Sequence, residues 1–321
     1  MKKYKHNMME RYGFDKPKFK RLLPLLSLTI LYILLNPIHA ETEVLNKIQT
    51  SEIAVLFGKS IENIAEDVKN LYPDVKMDLI KKLKWEIEFR PDVVLIKDRD
   101  VFVKAAGNDL IVAFAVPERN LIVLDTSRVY EKPFTIEATL KHELCHLVLH
   151  HNIERDKLPR WMDEGVCQWA SGGIAEIMTK NGNKELTKAV ISDRLIDIKN
   201  LLSFPKDDKS LILSYEESKS FVEYIVNQYG EQGILNVLGH MKKGHSADYS
   251  IEKSLLVNAS EIEKKWRADL KKKNTWFSYF SNNLYIILFS FAALITVYGF
   301  IRLLKKKRAY VDDVDGEDKE V

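Results

Sequence analysis

His142-Glu143-Leu144-Cys145-His146 sets two imidazoles four residues apart, with a carboxylate beside the first, inside a stretch that otherwise reads as an apolar helix. Residues four apart on a helix lie one above the other on the same face, so both rings can reach one ion. Glu143 stands one position round from His142, close enough to act on a water bound to that ion. Two neutral nitrogen ligands plus an adjacent carboxylate suit zinc-assisted hydrolysis. Five residues are a short motif, and the flanking sequence must supply what that chemistry still lacks.

A catalytic zinc takes three protein ligands and keeps one position open for water. Continuation as HExxHxxGxxH fails, because Leu149 occupies the glycine position and Asn152 the last histidine position. His150 continues the four-residue spacing, but three histidines on successive turns span about 12 Å of axis, too far for one small ion. His150 and His151 read instead as a solvated helix end, where histidine suits the negative end of the dipole. Glu164 is the better third ligand. It lies in Leu158-Pro159-Arg160-Trp161-Met162-Asp163-Glu164-Gly165-Val166, after the polar turn Asn152 to Lys157. A second helix starting near Arg160 would carry it back to the first, and eighteen positions after His146 leave room for the loop.

The pair HELCH and PRWMDEGVCQW resembles the gluzincin metallopeptidases, and within them the peptidase MA-like family of small membrane-associated or secreted bacterial proteins. The resemblance covers roughly residues 85 to 272. It implies that His142, His146 and Glu164 are zinc ligands, one Zn²⁺ per chain, and that Glu143 is the general base. It also implies water attack on a peptide carbonyl without a covalent intermediate, Glu143 taking the proton and later passing it to the leaving amine. A tyrosine at the start of a later helix in the family makes Tyr215 the candidate oxyanion donor, with a buried core tyrosine as the alternative and Tyr224 next in line. The sequence departs from the wider gluzincin pattern at Gln168, where many members carry an aspartate four residues after the ligand glutamate. Gln168 could orient a ligand imidazole without adding charge. Asp163 is either a further support of this kind or a first-turn helix carboxylate.

Both cysteines fall in the metal region. Cys145 points away from the face shared by the histidines, as a small buried hydrophobe or as one half of a disulfide to Cys167; a thiolate ligand is the least favoured reading.

The elements that must position these groups follow from periodicity. Asp92 to Lys97, Leu110 to Val116 and Leu121 to Asp125 are β-branched and aliphatic runs that predict strands, the last two joined by a turn at Pro117 to Asn120. The resemblance to zincins implies a sheet-edge strand within 110 to 125 that pairs with extended substrate, a plain core hairpin being the alternative. Residues 42 to 88 predict amphipathic helices interrupted at Asn70-Leu-Tyr-Pro-Asp. Residues 211 to 272 form a second helical part punctuated by Gly230, Gly233 and Gly239, and Ser260-Glu-Ile-Glu263 reads as a capping box. The expected fold is α+β and zincin-like: a small twisted sheet, an active-site helix, a helical carboxy-terminal part and a carboxy-terminal transmembrane helix.

A net charge of +3 is too small to indicate nucleic acid. Positive charge collects instead beside apolar segments, which points to a lipid bilayer. Residues 22 to 35 are a short apolar run after Lys16, Lys18, Lys20 and Arg21, with a possible cleavage after Ala40. Leu284 to Ile301 is long enough to span, preceded by Trp276, Phe277, Tyr279 and Phe280 and followed by Arg302, Lys305, Lys306, Lys307 and Arg308. The organisation expected is therefore 1–40 signal peptide or anchor, 41–90 helical part, 91–275 metallopeptidase domain, 276–304 transmembrane segment and 305–321 cytoplasmic tail. The catalytic domain would face outside the cytoplasm, with peptide or protein of the cell envelope as substrate. Two other classes stay open: a non-catalytic zinc-containing scaffold at the membrane surface, and a metal-dependent amidase acting on cell-envelope material.

Overall fold

The computed structural model describes residues 45–128, 135–173 and 184–317. The leader or anchor expected at 1–40 lies outside the described residues. The chain divides into two units. One comprises the residues up to Leu158 with Val166–Lys180 and Lys242–Gly244; the other comprises Pro159–Gly165, Asn181–Met241 and the residues from His245 onward.

In the first unit the alternation at Asp92–Ile96 sends Val93 and Leu95 into the core and makes strand β3. It lies in a five-stranded sheet with β1 (Asn46–Gln49), β2 (Ala54–Phe57), β4 (Ala113–Val116) and β5 (Leu121–Asp125), in the order β1-β2-β3-β5-β4. The centre is parallel (β2 with β3, β3 with β5) and both outer pairs are antiparallel. Pro117–Arg119 form one 3₁₀ turn and Asn120, at φ 51°, closes the β4–β5 hairpin where the sequence predicted it.

Two expectations for residues 42 to 88 fail here. Strands β1 and β2 occupy part of the stretch predicted to be helical. Ala54-Val55-Leu56-Phe57 is a short continuous apolar run, buried along nearly its whole length beside β3, and such a run suits a parallel core strand as well as a helix. The sheet thereby draws its strands from both sides of residue 90. The second difference is helix α1, Glu62–Leu83, which passes Pro73 without a break. Ile64, Val68, Tyr72, Val75, Leu79 and Leu83 form one buried stripe, while Pro73 faces solvent. Packing of that stripe outweighs a proline penalty of about 3 kcal/mol.

Helix α2 (Arg99–Ala106) follows β3, and helix α3 (Ile136–Asn152) follows β5. Helix α3 packs against α1 and against edge strand β4, and Lys141 Nζ meets Asp78 Oδ2 of α1 at 3.1 Å. The second half of helix α4 (Arg160–Ser171) also belongs here, with Trp169 beneath the Lys82 ammonium.

The second unit is helical: the first turn and a half of α4, then α5 (Lys184–Ile191), α6 (Asp208–Lys242), α7 (Ala247–Leu255), α8 (Ala259–Asn282) and α9 (Leu284–Glu317). Gly230, at φ 75° and ψ 169°, breaks α6 into two helical parts. The predicted capping box at Ser260 is displaced. Asn258 caps α8 by accepting from the Glu261 amide at 2.9 Å, and Glu263 instead accepts from Arg267 and the Ile198 amide. An Asn at the boundary competes well with Ser for the cap, which is why spacing alone chose wrongly. Trp161, Phe221 and Trp266 stack edge-on in sequence, 5.1 and 5.3 Å between centroids, and hold α4, α6 and α8 together. Among the described residues one helix, Leu284–Lys305 within α9, is long and apolar enough to cross a membrane; it is 0% buried.

Candidate metal centre

Thr135 caps α3 by accepting from the Ala138 amide at 3.1 Å. From His142 to Leu149 every residue of the helix is buried. An apolar helix enclosed on all sides forces its polar residues to find one another. His142 and His146 do so: their Nε2 atoms are 3.1 Å apart and their rings are nearly perpendicular. Glu143, between them in sequence, is 0% exposed.

Helix α4 brings the third group. The side chain of Glu164 is 1% exposed. One nitrogen or oxygen each from His142, His146 and Glu164 lie within 4.8 Å of one another. Ligands about 2.0–2.1 Å from a shared tetrahedral ion stand about 3.3 Å apart, so the 3.1 Å histidine pair is already at coordinating separation. Two imidazoles and one carboxylate, buried and convergent, fit a divalent ion of the zinc type.

Three residues of the Pro159-to-Gly165 run have a local reason. The Trp161 amide donates to the Leu201 carbonyl at 3.1 Å, and its ring enters the aromatic stack. Arg160 pairs with Glu164 four residues on, Nη2 to Oε1 at 2.6 Å. At Gly165 a Cβ would stand 2.4 Å from the Ser218 carbonyl oxygen and 2.6 Å from Val222 Cγ2, so only glycine lets α4 approach α6 this closely.

Cys145 and Cys167 form a disulfide, with Cα atoms 5.4 Å apart and both residues 0% exposed. It joins α3 one residue before His146 to α4 three residues after Glu164. Closing a loop of 22 residues is worth about 3 kcal/mol on the chain-entropy account. His146, Asp163 and Cys167 form a second close grouping within 4.8 Å. With Cys167 committed to the disulfide, what that grouping establishes is the nearness of Asp163 to a ring nitrogen of His146.

Gln168 is buried at 1% and lies one turn beyond Glu164. Tyr215, in α6, is 2% exposed and its hydroxyl accepts from Arg160 Nη2 at 3.3 Å. One guanidinium nitrogen thus links the candidate ligand Glu164 to the candidate oxyanion donor. Tyr224 has different company: burial first, then Asp269 of α8 and Tyr229, raise its pKa against the opposing Lys265 and Lys273. His150 and His151 take no part in either grouping. His151 stacks on Phe89 at 4.0 Å and bonds Asn120, and partial burial lowers its pKa.

Residues 110–272, just over half of the chain, match the family model described as the Peptidase MA superfamily. The chain belongs to the Peptidase MA superfamily. No curated protein matches it. The match carries a metallopeptidase-like domain from Leu110, just ahead of β4, to Lys272 in α8, and so takes in the edge strand, both histidines, Glu164 and Tyr215. Strands β1 to β3 precede the stretch that defines the Peptidase MA match. Within it, sequence reasoning assigned Arg160 no role of its own, although its four-residue spacing to Glu164 was the available signal.

Proposed function

We propose that this member of the Peptidase MA superfamily is a membrane-anchored zinc metallopeptidase of the gluzincin type, hydrolysing peptide bonds in proteins of the cell envelope. The observation that carries the proposal is the His142–His146 pair, Nε2 to Nε2 at 3.1 Å, with Glu164 in the same cluster. His142, His146 and Glu164 would hold the ion, with the Glu164 carboxylate oriented by the Arg160 contact at its Oε1. A zinc bound there supplies Lewis acidity and brings a water's pKa to about 7. Glu143 takes the proton of the attacking water and returns it to the leaving amine. Tyr215 donates to the oxyanion as the carbonyl becomes tetrahedral. Edge strand β4, beside α3 and paired only with β5 among the described residues, aligns an extended substrate by backbone hydrogen bonds. The Cys145–Cys167 disulfide supports an oxidising, extracytoplasmic compartment.

The test compares two variants of the full chain in detergent. Glu143→Gln keeps stoichiometric zinc by atomic absorption and loses hydrolysis of fluorescein-labelled casein. Glu164→Ala loses both. Unchanged turnover in Glu143→Gln, or no zinc in carefully purified wild type, overturns the proposal.

A further inference from the structure

Arg160 Nη2 touches two groups at once. It lies 2.6 Å from Glu164 Oε1 and 3.3 Å from the Tyr215 hydroxyl. The two partners are 1% and 2% exposed, while the arginine side chain is 44% exposed and its head lies 5.5 Å from the Phe204 ring. Phe204 in turn packs edge-on against Tyr215, centroids 4.9 Å apart. The guanidinium is therefore held between a buried carboxylate and an aromatic pair, with one edge towards solvent. The backbone around it is fixed as well, by the Trp161–Leu201 hydrogen bond and by the close approach at Gly165.

We infer that Arg160 is a positioning residue that couples the metal ligand Glu164 to Tyr215. The inference rests on the proposed metal site. Two physical consequences follow from the shared nitrogen. First, Arg160 engages one carboxylate oxygen and so presents Glu164 to the ion through the other, in one orientation. Secondly, a guanidinium donates and never accepts, so the Tyr215 oxygen must be the acceptor and its own proton is directed away from Arg160. A tyrosine polarised this way is a better donor to a developing oxyanion. Lysine cannot replace both contacts: an ammonium on a flexible stem can pair with Glu164 but lacks the rigid planar NH₂ whose two hydrogens diverge towards two acceptors in fixed directions.

The experiment is a double-mutant cycle on the full chain, using Arg160→Lys, Arg160→Gln, Tyr215→Phe and Arg160→Lys combined with Tyr215→Phe. Zinc affinity is read by chelator competition, and kcat and KM on labelled casein at saturating zinc. Arg160→Gln should weaken zinc about tenfold to a hundredfold. Arg160→Lys should restore most of that affinity yet lower kcat, with KM little changed. In the Tyr215→Phe background the lysine substitution should cause no further loss of kcat. Wild-type zinc affinity and kcat in Arg160→Gln overturn the inference, as do kcat losses that simply multiply in the double variant. Absence of zinc or hydrolysis in the wild type instead overturns the proposed function, so the two failures are distinct. A merely structural Arg160 would lower the melting temperature of both Arg160 single variants without separating kcat from KM.

Discussion

Asp163 and Gln168 are two candidates for one task, support of a ligand imidazole, and they differ in charge. Family spacing points to position 168, and Asp163 lies within 4.8 Å of a His146 ring nitrogen. An aspartate beside a ligand histidine adds negative charge and raises the ring's basicity, which glutamine does not. Asp163→Asn should therefore weaken zinc binding about tenfold to a hundredfold, while Gln168→Ala changes it by less. Equal effects of the two substitutions, by chelator competition, would contradict the assignment to Asp163. What was legible at this scale was local. The HExxH pair follows from helix periodicity, and Glu164 from a motif one helix away. The Cys145–Cys167 pairing stayed open because sequence says which residues face the core, not which sulfur meets which. Arg160 went unassigned because its second partner, Tyr215, is fifty-five positions distant.

The elements were legible where one period dominates. Strands β3 to β5 and the β4–β5 turn matched expectation, whereas β1, β2 and the passage of α1 through Pro73 depended on tertiary burial that no local pattern records. Helix α6 adds something that sequence did not reveal: two adjacent buried carboxyls. Glu216 Oε2 accepts from the Leu186 amide at 2.6 Å and Glu217 Oε1 from the Ile196 amide at 3.0 Å, tying α5 and the segment after it to α6. Burial pushes Glu216 up to about 7 and Glu217 up to about 8, against an ordinary 4.5. The folded state therefore binds more protons than the unfolded chain between about pH 4.5 and 8. The stabilisation from these protonated carboxyls is complete below that window and is lost as pH rises through it. The melting temperature should accordingly fall between about pH 5 and 8.5, and Glu217→Gln, which keeps the acceptor for Ile196, should flatten the decline. Parallel wild-type and Glu217→Gln curves across that range would remove Glu217 as a cause.

On the scale of the whole molecule the decisive contrast is between two long helices rich in buried or exposed apolar surface. Helix α3 is apolar and enclosed; the Leu284–Lys305 span of α9 has a mean hydropathy of 2.3 and is 0% buried. A run of 22 residues reaches about 33 Å, against a hydrocarbon core of about 30 Å, and nothing among the described residues covers it. Composition alone made this segment legible, because length and hydropathy are what qualify a helix to cross a bilayer and neither needs a tertiary partner. Its orientation is a question of charge. On the domain side Lys265, Arg267, Lys271 and Lys273 are each paired with a carboxylate, of Glu261, of Glu263 and Asp197, of Asp193 and of Asp269 respectively. They belong to a folded helix that would cross the bilayer as part of a domain, where charge counts for little. Arg302, Lys305, Lys306, Lys307 and Arg308 instead adjoin the span directly, where the positive-inside bias is strongest. The full chain expressed in a bacterial host should therefore sediment with membranes and resist carbonate extraction, and a chain truncated after Thr275 should lose the anchorage that α9 provides. An epitope appended after Val321 should survive protease added to spheroplasts while the Cys145–Cys167 domain is degraded. Degradation of the epitope with the domain intact would reverse the orientation and remove the metal centre from the envelope.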